Sequence, residues 1–240
     1  MTFIVLVRHG QSEWNLQNRF TGWVDVGLTN AGVNEAIKSG DLIAKEGIIF
    51  DRAFTSLQRR AIKTLWLSLE AANQLHLPVI KDWRLNERHY GSLTGCNKQE
   101  TRSKYGDEQV HIWRRSFDIP PPKIDKQNKY HPIHDSKYSN VDPEVLPTGE
   151  SLKMTCDRVL PYFSSSIVPF INDKKNLIIS AHGNSLRAIL KDLFKVNDIE
   201  IPNYEFPTGN PLLIEFGSDI NTIVSARYLD AERAKVLPEI

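Results

Sequence analysis

Two histidine–glycine pairs are the first residues of this sequence whose types and positions could do chemistry. His9-Gly10 follows the apolar run 3–7, and His182-Gly183 follows a second apolar run at 176–181. Such runs are typical of buried strands in a parallel sheet, where ligands bind beyond the carboxyl ends of the strands. One histidine of this kind could equally cap a helix or pack in a core. Two in matching positions favour a functional site, and both imidazoles face one crevice if the strands are neighbours.

Arginines stand close to these histidines in the sequence. Arg8 adjoins His9, and the pair Arg59-Arg60 opens a predicted helix after the second strand. A guanidinium beside the free N–H groups of a helix start suits a doubly charged phosphoryl group. One of the pair is expected to be a solvated surface residue, and Arg60 is taken as the inward one on the resemblance described below.

Strands and helices alternate along the chain, which predicts a three-layer α/β fold, with a mostly parallel sheet and helices on both faces. Thr29 is the expected N-cap of the first long helix, and Gly47 is its expected end. Strands are predicted at 2–7, 50–55, 78–80, 176–181, 212–216 and 222–228, and helices at 29–47, 57–69, from 151 onwards, and at 185–194.

The stretch from Cys96 to Val145 lacks the regular alternation of predicted strands and helices. It contains the run Pro120-Pro121-Pro122 and scattered histidine and tyrosine residues. We interpret it as an insertion of one short helix and long irregular loops, which forms a lid region and not an independent domain. The prediction is therefore one domain over residues 1–240, with an insertion at about 96–145.

Charge and composition exclude several classes of function. The 30 Lys and Arg residues nearly balance the 29 Asp and Glu residues, so the net charge of +1 predicts no nucleic-acid or membrane partner. Any anion must then be bound by a local cluster of cations.

Cys96 and Cys156 form neither a disulfide framework nor a CxxC pair, and the apolar start is too short for a signal peptide, so a cytoplasmic location is predicted. The sequence lacks GxGxxG after its first strand, a P-loop, and the Asp and His clusters of a two-metal site.

An ordered set of motifs resembles the histidine phosphatase superfamily, specifically its cofactor-dependent phosphoglycerate mutases. The set extends over nearly the whole chain in the family's order, so it is far more specific than a lone Arg-His-Gly. The matching residues are Arg8-His9-Gly10-Gln11-Ser12-Glu13-Trp14-Asn15, Arg19-Phe20-Thr21-Gly22-Trp23, Thr55-Ser56, Arg60-Ala61, Asn86-Glu87-Arg88-His89-Tyr90-Gly91, Tyr105-Gly106-Asp107, Trp113-Arg114-Arg115 and Ala181-His182-Gly183-Asn184-Ser185.

The resemblance implies the catalytic roles. His9 would be the nucleophile that carries phosphate as phosphohistidine, kept neutral by the nearby arginines. Glu87 would be the general acid–base, with a pKa tuned toward neutrality; an arbitrary glutamate would be a surface residue. The groups expected around the phosphoryl oxygens are Arg8, Arg60, His182, Asn15, Gly183 and Asn184.

The same resemblance assigns the insertion to substrate binding. Lys98, Tyr90, Arg114 and Arg115 would bind the glycerate carboxylate and a second phosphate, and Thr21 and Gly22 would add loop contacts. The alternative for an Arg-Arg pair is a solvated face. Small phosphatases of the superfamily generally lack so long an insertion, which favours a mutase.

The function implied is interconversion of 3-phosphoglycerate and 2-phosphoglycerate in glycolysis and gluconeogenesis, primed by 2,3-bisphosphoglycerate and without a metal. The family also implies a homodimer or homotetramer. A bisphosphoglycerate synthase or a phosphatase acting on small phosphomonoesters stays open as the alternative enzyme. A non-catalytic phospho-ligand-binding module is disfavoured because His9 and Glu87 are both present.

Overall fold

The computed structural model describes residues 2–240, and these contain one six-stranded sheet in the order β3-β2-β4-β1-β5-β6. β4 lies between β1 and β2 and is parallel to both, and β3 is parallel to β2, whereas β5 is antiparallel to its neighbours β1 and β6. This confirms the predicted mostly parallel sheet. The strands are β1 (Thr2–Arg8), β2 (Arg52–Thr55), β3 (Val79–Lys81), β4 (Leu177–Ala181), β5 (Leu212–Phe216) and β6 (Ile223–Tyr228).

Helices cover both faces of this sheet, as predicted. Alternate residues of β1 show the division, because Ile4 and Leu6 join a core with the helices at 152–162 and 183–193, while Val5 and Val7 join a second core with the helices at 30–45 and 59–71. The helices are α1 (Glu13–Leu16), α2 (Asn30–Lys45), α3 (Arg59–Ala71), α4 (Lys98–Tyr105), α5 (Asp107–Arg115), α6 (Leu152–Tyr162), α7 (Val168–Asn172) and α8 (Gly183–Leu193).

Local sequence explains the ends of α2. The Thr29 side chain accepts a hydrogen bond from the Gly32 N–H, so it is the N-cap that the sequence predicts. After the helix, Gly47 adopts φ +66°, a left-handed conformation that glycine reaches without a Cβ clash.

The register of β1 against β4 positions the two histidines. Arg8 pairs with Ala181 in the parallel ladder, and the His9 N–H donates to the Ala181 carbonyl at 3.0 Å. The segments that follow β1 and β4 therefore leave the sheet side by side. The condition set by the sequence, that the two strands be neighbours, is met.

The insertion has more regular structure than predicted. The expectation of one short helix is wrong, because α4 and α5 are two helices separated by Gly106 at φ +84°. A residue in that conformation cannot continue a right-handed helix, so the chain turns at this point. Short 3-10 turns at 132–134, 136–138 and 143–145 interrupt the remaining loops.

The packing of α2 on α3 leaves no room for a side chain at Gly40. A Cβ there would lie 2.3 Å from the Ser68 carbonyl oxygen and 2.6 Å from the Ala71 Cβ. We expect Gly40→Ala to lower the free energy of unfolding by about 1–3 kcal/mol, because the helices must move apart. Urea unfolding measures this change. Asn34→Ala on the exposed side of α2 is the matched control and should be neutral or stabilising. Equal stability of the two variants would contradict the close packing.

Candidate active site

A cavity of about 190 Å³ opens where β1 and β4 end. Thirteen of the fourteen predicted site residues line it, so residues from distant parts of the sequence meet at one place. The predicted residues on its wall are Arg8, His9, Asn15, Thr21, Gly22, Arg60, Glu87, Tyr90, Lys98, Arg114, Arg115, Gly183 and Asn184. His182 is the exception, since it is fully buried behind the wall, with its ring centroid 5.0 Å from that of His9.

The imidazole of His9 is held in one tautomer. Its Nδ1 lies 2.7 Å from the Gly10 carbonyl oxygen, which can only accept, so Nδ1 carries the proton. Nε2 therefore carries the lone pair, which accepts a long hydrogen bond from the Arg60 Nε at 3.4 Å. Burial, together with the charges of Arg60 and Arg8, holds the pKa of His9 well below its usual value. The neutral imidazole is a nucleophile at physiological pH.

Arg60 is almost fully buried, with 1% of its surface exposed. Its Nη1 donates to the Val24 carbonyl at 2.9 Å, and its Nη2 donates to the Gly22 carbonyl at 2.8 Å. Burial lowers the pKa of Arg60 to about 10, so the guanidinium keeps its charge at neutral pH. Arg59, by contrast, projects outward, as the sequence analysis expects of one member of the pair.

Four buried nitrogen atoms at the site have no hydrogen-bond partner among residues 2–240. These are the Arg8 Nε, the Arg88 Nε and Nη1, and the His182 Nδ1. The Nε2 of His182 lies 2.8 Å from the Ser56 hydroxyl, which can donate to it and leave the proton on Nδ1. Unpaired buried donors are costly, and oxygens of a bound phosphoryl group would satisfy them.

Glu87 is buried, and one of its two carboxylate oxygens is saturated with donors. Oε1 accepts from the Arg88 N–H at 2.8 Å, from the Asn184 N–H at 3.2 Å and from the Asn184 Nδ2 at 2.8 Å. Oε2 accepts no hydrogen bond from residues 2–240. This oxygen lies near Gly183, and both residues line the cavity.

The pKa of Glu87 differs from the sequence-based expectation. Burial alone raises it, but the Arg88 N–H and the Asn184 amide lower it more, with help from the charges of Arg60 and Arg8. The net shift is downward from its usual value, so the expectation of a pKa near neutrality is wrong for the ligand-free protein. The group is a carboxylate, ready to accept a proton.

The insertion contributes three cations to the cavity. Lys98 begins α4, and Arg114 and Arg115 end α5. Arg115 Nη2 contacts the Glu205 carboxylate at 2.7 Å. Burial lowers the pKa values of Lys98 and Arg114, and the Arg88 charge and hydrogen bond help to lower that of Tyr90 despite its burial.

Five residues of the wall were not among the predicted site residues. Arg19, Phe20 and Arg88 belong to motifs quoted above for the resemblance, so a signal was present. Arg187 lies three residues after Asn184 in α8, on the same helix face, which helical spacing could have indicated. Glu205 had no sequence signal. The five residues are Arg19, Phe20, Arg88, Arg187 and Glu205.

The charge of this cavity is unlike that of the whole chain. Eight of its eighteen lining residues are Arg or Lys and two are Glu, although the net charge of the protein is only +1. The sequence analysis required such a local cluster for anion binding. A neutral, nucleophilic imidazole inside a cationic pocket can attack a phosphoryl group and form a covalent intermediate.

The sequence between residues 4 and 227 matches the family model described as the histidine phosphatase superfamily, branch 1. The chain belongs to this superfamily. It is 59% identical to the 2,3-bisphosphoglycerate-dependent phosphoglycerate mutase of Maricaulis maris, covering 100% of this chain and 99% of that protein. It is 53% identical to the 2,3-bisphosphoglycerate-dependent phosphoglycerate mutase 1 of Lactobacillus johnsonii, covering 96% of this chain and 100% of that protein.

A solved superfamily structure shares the fold. The mycobacterial glucosyl-3-phosphoglycerate phosphatase superposes with a TM-score of 0.70 over 95% of this chain and 96% of its own, at 21% identity. This similarity confirms the α/β architecture and nothing about the substrate.

Residues 2–240 include no helix that is both long and apolar enough to cross a membrane. Nor do they bring three or more His, Cys, Asp or Glu side chains together in a metal-binding arrangement. The absence of a metal from the reaction stays a prediction.

Buried histidines make the stability of this protein depend on pH. Burial lowers the pKa of His89 to about 3, and the pKa values of His9 and His182 are also well below the usual value. Below pH 6.5 the unfolded chain takes up protons that the folded protein excludes, so stability falls as the pH falls. Each such histidine contributes about 1.4 kcal/mol per pH unit.

His89→Asn isolates one of these contributions. The Asn oxygen can replace the His89 Nδ1, which accepts from the Gly91 N–H at 3.0 Å. Between pH 6 and pH 4 we expect the variant's free energy of unfolding to fall less steeply than that of the wild type, by about 1.4 kcal/mol per pH unit. Urea titrations at several pH values measure the slopes. His76→Asn, at an exposed position, is the control and should keep the wild-type slope; an unchanged slope in His89→Asn would refute the assignment.

Proposed function

We propose that this protein is a 2,3-bisphosphoglycerate-dependent phosphoglycerate mutase, which interconverts 3-phosphoglycerate and 2-phosphoglycerate in glycolysis and gluconeogenesis. The observation that carries the proposal is the neutral His9 Nε2, which faces a cavity containing eight Arg and Lys residues. Full-length relatives that are 53–59% identical bear the mutase name. The protein is accordingly an isomerase that works by phosphoryl transfer.

His9 is the proposed nucleophile. Its Nε2 forms a bond to phosphorus as the bond from phosphorus to the donor oxygen breaks, and the phosphohistidine later gives the group to a substrate hydroxyl. Arg8, Arg60 and His182 hold the transferred oxygens, which suits the unpaired donors at Arg8 Nε and His182 Nδ1. When bound, 2,3-bisphosphoglycerate supplies the phosphoryl group that primes His9.

Glu87 is the proposed acid–base group. Its free Oε2 takes the proton from the substrate hydroxyl as that oxygen attacks phosphohistidine, and it returns the proton to the leaving oxygen in the reverse direction. The arginines that lower the pKa of Glu87 are the same ones that would bind the phosphoryl group. A bound dianion offsets their charge, so substrate binding makes Glu87 a stronger base.

The insertion is the proposed specificity element and lid. Lys98, Arg114 and Arg115 supply positive charge for the carboxylate and second phosphate, beside the hydroxyl of Tyr90. Opposite them, the remaining contacts are proposed to come from Asn15, Thr21, Gly22, Gly183 and Asn184. We retain the single domain, with its insertion at about 96–145, as part of this proposal.

The mutase assignment predicts activity that requires His9 and survives a metal chelator. We expect conversion of 3-phosphoglycerate to 2-phosphoglycerate in EDTA when trace 2,3-bisphosphoglycerate is added, with a loss of at least about 10³-fold in His9→Ala. Isotopically labelled 2,3-bisphosphoglycerate should leave an acid-labile label on the wild type and none on the variant. His76→Ala, at the exposed histidine, should retain both properties.

The other outcomes of this assay distinguish the alternatives. Release of inorganic phosphate that exceeds isomerisation would identify a phosphatase, and net accumulation of bisphosphoglycerate would identify a synthase. Transfer of the acid-labile label to the His9→Ala variant would contradict the role of His9. Inactivity of the wild type in every assay would favour a binding module.

We also propose a homodimer or homotetramer, in the cytoplasm where glycolysis takes place. β3 is an edge strand, and Trp66 beside it is 52% exposed, with the Lys81 ammonium 6.0 Å from its ring centroid. Large exposed aromatic groups next to an unpaired strand edge are typical of interfaces. Light scattering should give a molar mass two or four times that of one chain, and the Trp66→Lys variant should have a lower molar mass. A monomeric wild type would contradict the proposal.

A further inference from the structure

We propose that Arg187 is a positioning residue for proton transfer at Glu87, and that it acts through the side-chain amide of Asn184. The inference deepens the function proposed above and rests on it. Arg187 belongs to α8 and lines the cavity, but it stands outside the site motifs on which the sequence analysis relied.

A continuous chain of hydrogen bonds joins the three side chains. Arg187 Nη1 donates to the Asn184 Oδ1 at 3.1 Å, and the Asn184 Nδ2 donates to the Glu87 Oε1 at 2.8 Å. An amide group has one accepting end and one donating end. By binding the accepting end, the guanidinium turns the donating end toward the carboxylate; the flipped amide would set two acceptor oxygens against each other.

Arg187 is itself anchored by the protein. Its Nε donates to the Tyr204 carbonyl at 2.6 Å, so the guanidinium has a fixed place before any ligand arrives. Burial lowers its pKa to about 10, which leaves it charged at neutral pH. Since the carbonyl and the amide are neutral acceptors, neither hydrogen-bond partner cancels the charge of Arg187, and this charge interacts with the Glu87 carboxylate.

This arrangement decides which oxygen of Glu87 reacts. Three N–H donors occupy Oε1, two of them from Asn184, and Oε2 is left for the substrate proton. If Arg187 is lost, the Asn184 amide can rotate away and a nearby positive charge disappears. Both changes raise the pKa of Glu87 and spread its carboxylate over more orientations.

The test compares Arg187→Met and Arg187→Lys with Arg227→Met. Arg227 is a half-exposed arginine on β6, far along the chain from the site residues, and serves as the matched control. We expect Arg187→Met to lower kcat about 10- to 100-fold with less than about a threefold change in KM. The acidic limb of the pH–rate profile should move to higher pH. Arg187→Lys, which keeps the positive charge and can still donate hydrogen bonds, should recover part of kcat, and it remains informative if the Met variant fails to fold.

A double-mutant cycle separates positioning from direct substrate binding. If Arg187 acts through Asn184, Arg187→Met should cause little further loss in an Asn184→Ala background. Fully additive losses would overturn the proposal. So would a raised KM with an unchanged kcat, because that result would identify Arg187 as a substrate-binding cation.

Titration of the Glu87 carboxyl by carbon NMR tests the proposal without any turnover. In the ligand-free protein, Arg187→Met should raise the pKa of Glu87, and Arg227→Met should leave it unchanged. If Arg187→Met leaves the pKa of Glu87 unchanged, the positioning proposal fails, whatever the activity of the variant. If the wild type converts no phosphoglycerate but Arg187→Met raises the pKa of Glu87, the proposed function fails and the positioning role of Arg187 is supported.

Discussion

The parallel pairing of β1 with β4 holds His9 and His182 side by side at the carboxyl edge of the sheet, and the site is assembled around that pair. Backbone hydrogen bonds of the ladder determine the register, with Arg8 opposite Ala181. Both strands are buried between two cores, so a slip by one residue would exchange the side chains that pack in one core with those that pack in the other. The helices on the two faces then lock the sheet, which makes the distance between the imidazoles a property of the whole fold.

The second constraint is electrostatic, because this fold gathers eight cations around one small cavity. Most of its arginines are held by backbone carbonyls and not by carboxylates. Arg8 donates to the Phe206 carbonyl, and Arg60 donates to those of Gly22 and Val24. The same arrangement recurs at Arg19, Arg88 and Arg187, whereas Arg115 contacts both a carbonyl and the Glu205 carboxylate. A carbonyl fixes a guanidinium without cancelling its charge, so most of the positive potential remains for a phosphorylated ligand.

That potential acts on His9 and Glu87, the two groups that are proposed to carry out the chemistry. It opposes protonation of His9, which keeps Nε2 nucleophilic, and it lowers the pKa of Glu87, which keeps the carboxylate ionised. Binding of a dianion weakens both effects, and at Glu87 this is useful because the carboxylate becomes more basic when the substrate hydroxyl is present. The nucleophile and the base are thus coupled through the same arginines.

The sequence by itself determined the fold class and most of the site. The apolar runs that precede His9 and His182 predicted two buried strands, and thirteen of the fourteen predicted site residues line one cavity, because ordered motifs report chain positions that a parallel sheet brings to one edge. Only the tertiary structure decided the low pKa of Glu87 and the place of Glu205 on the cavity wall. These properties depend on burial and on distances between residues far apart in the chain, and no local pattern of residue types records those quantities.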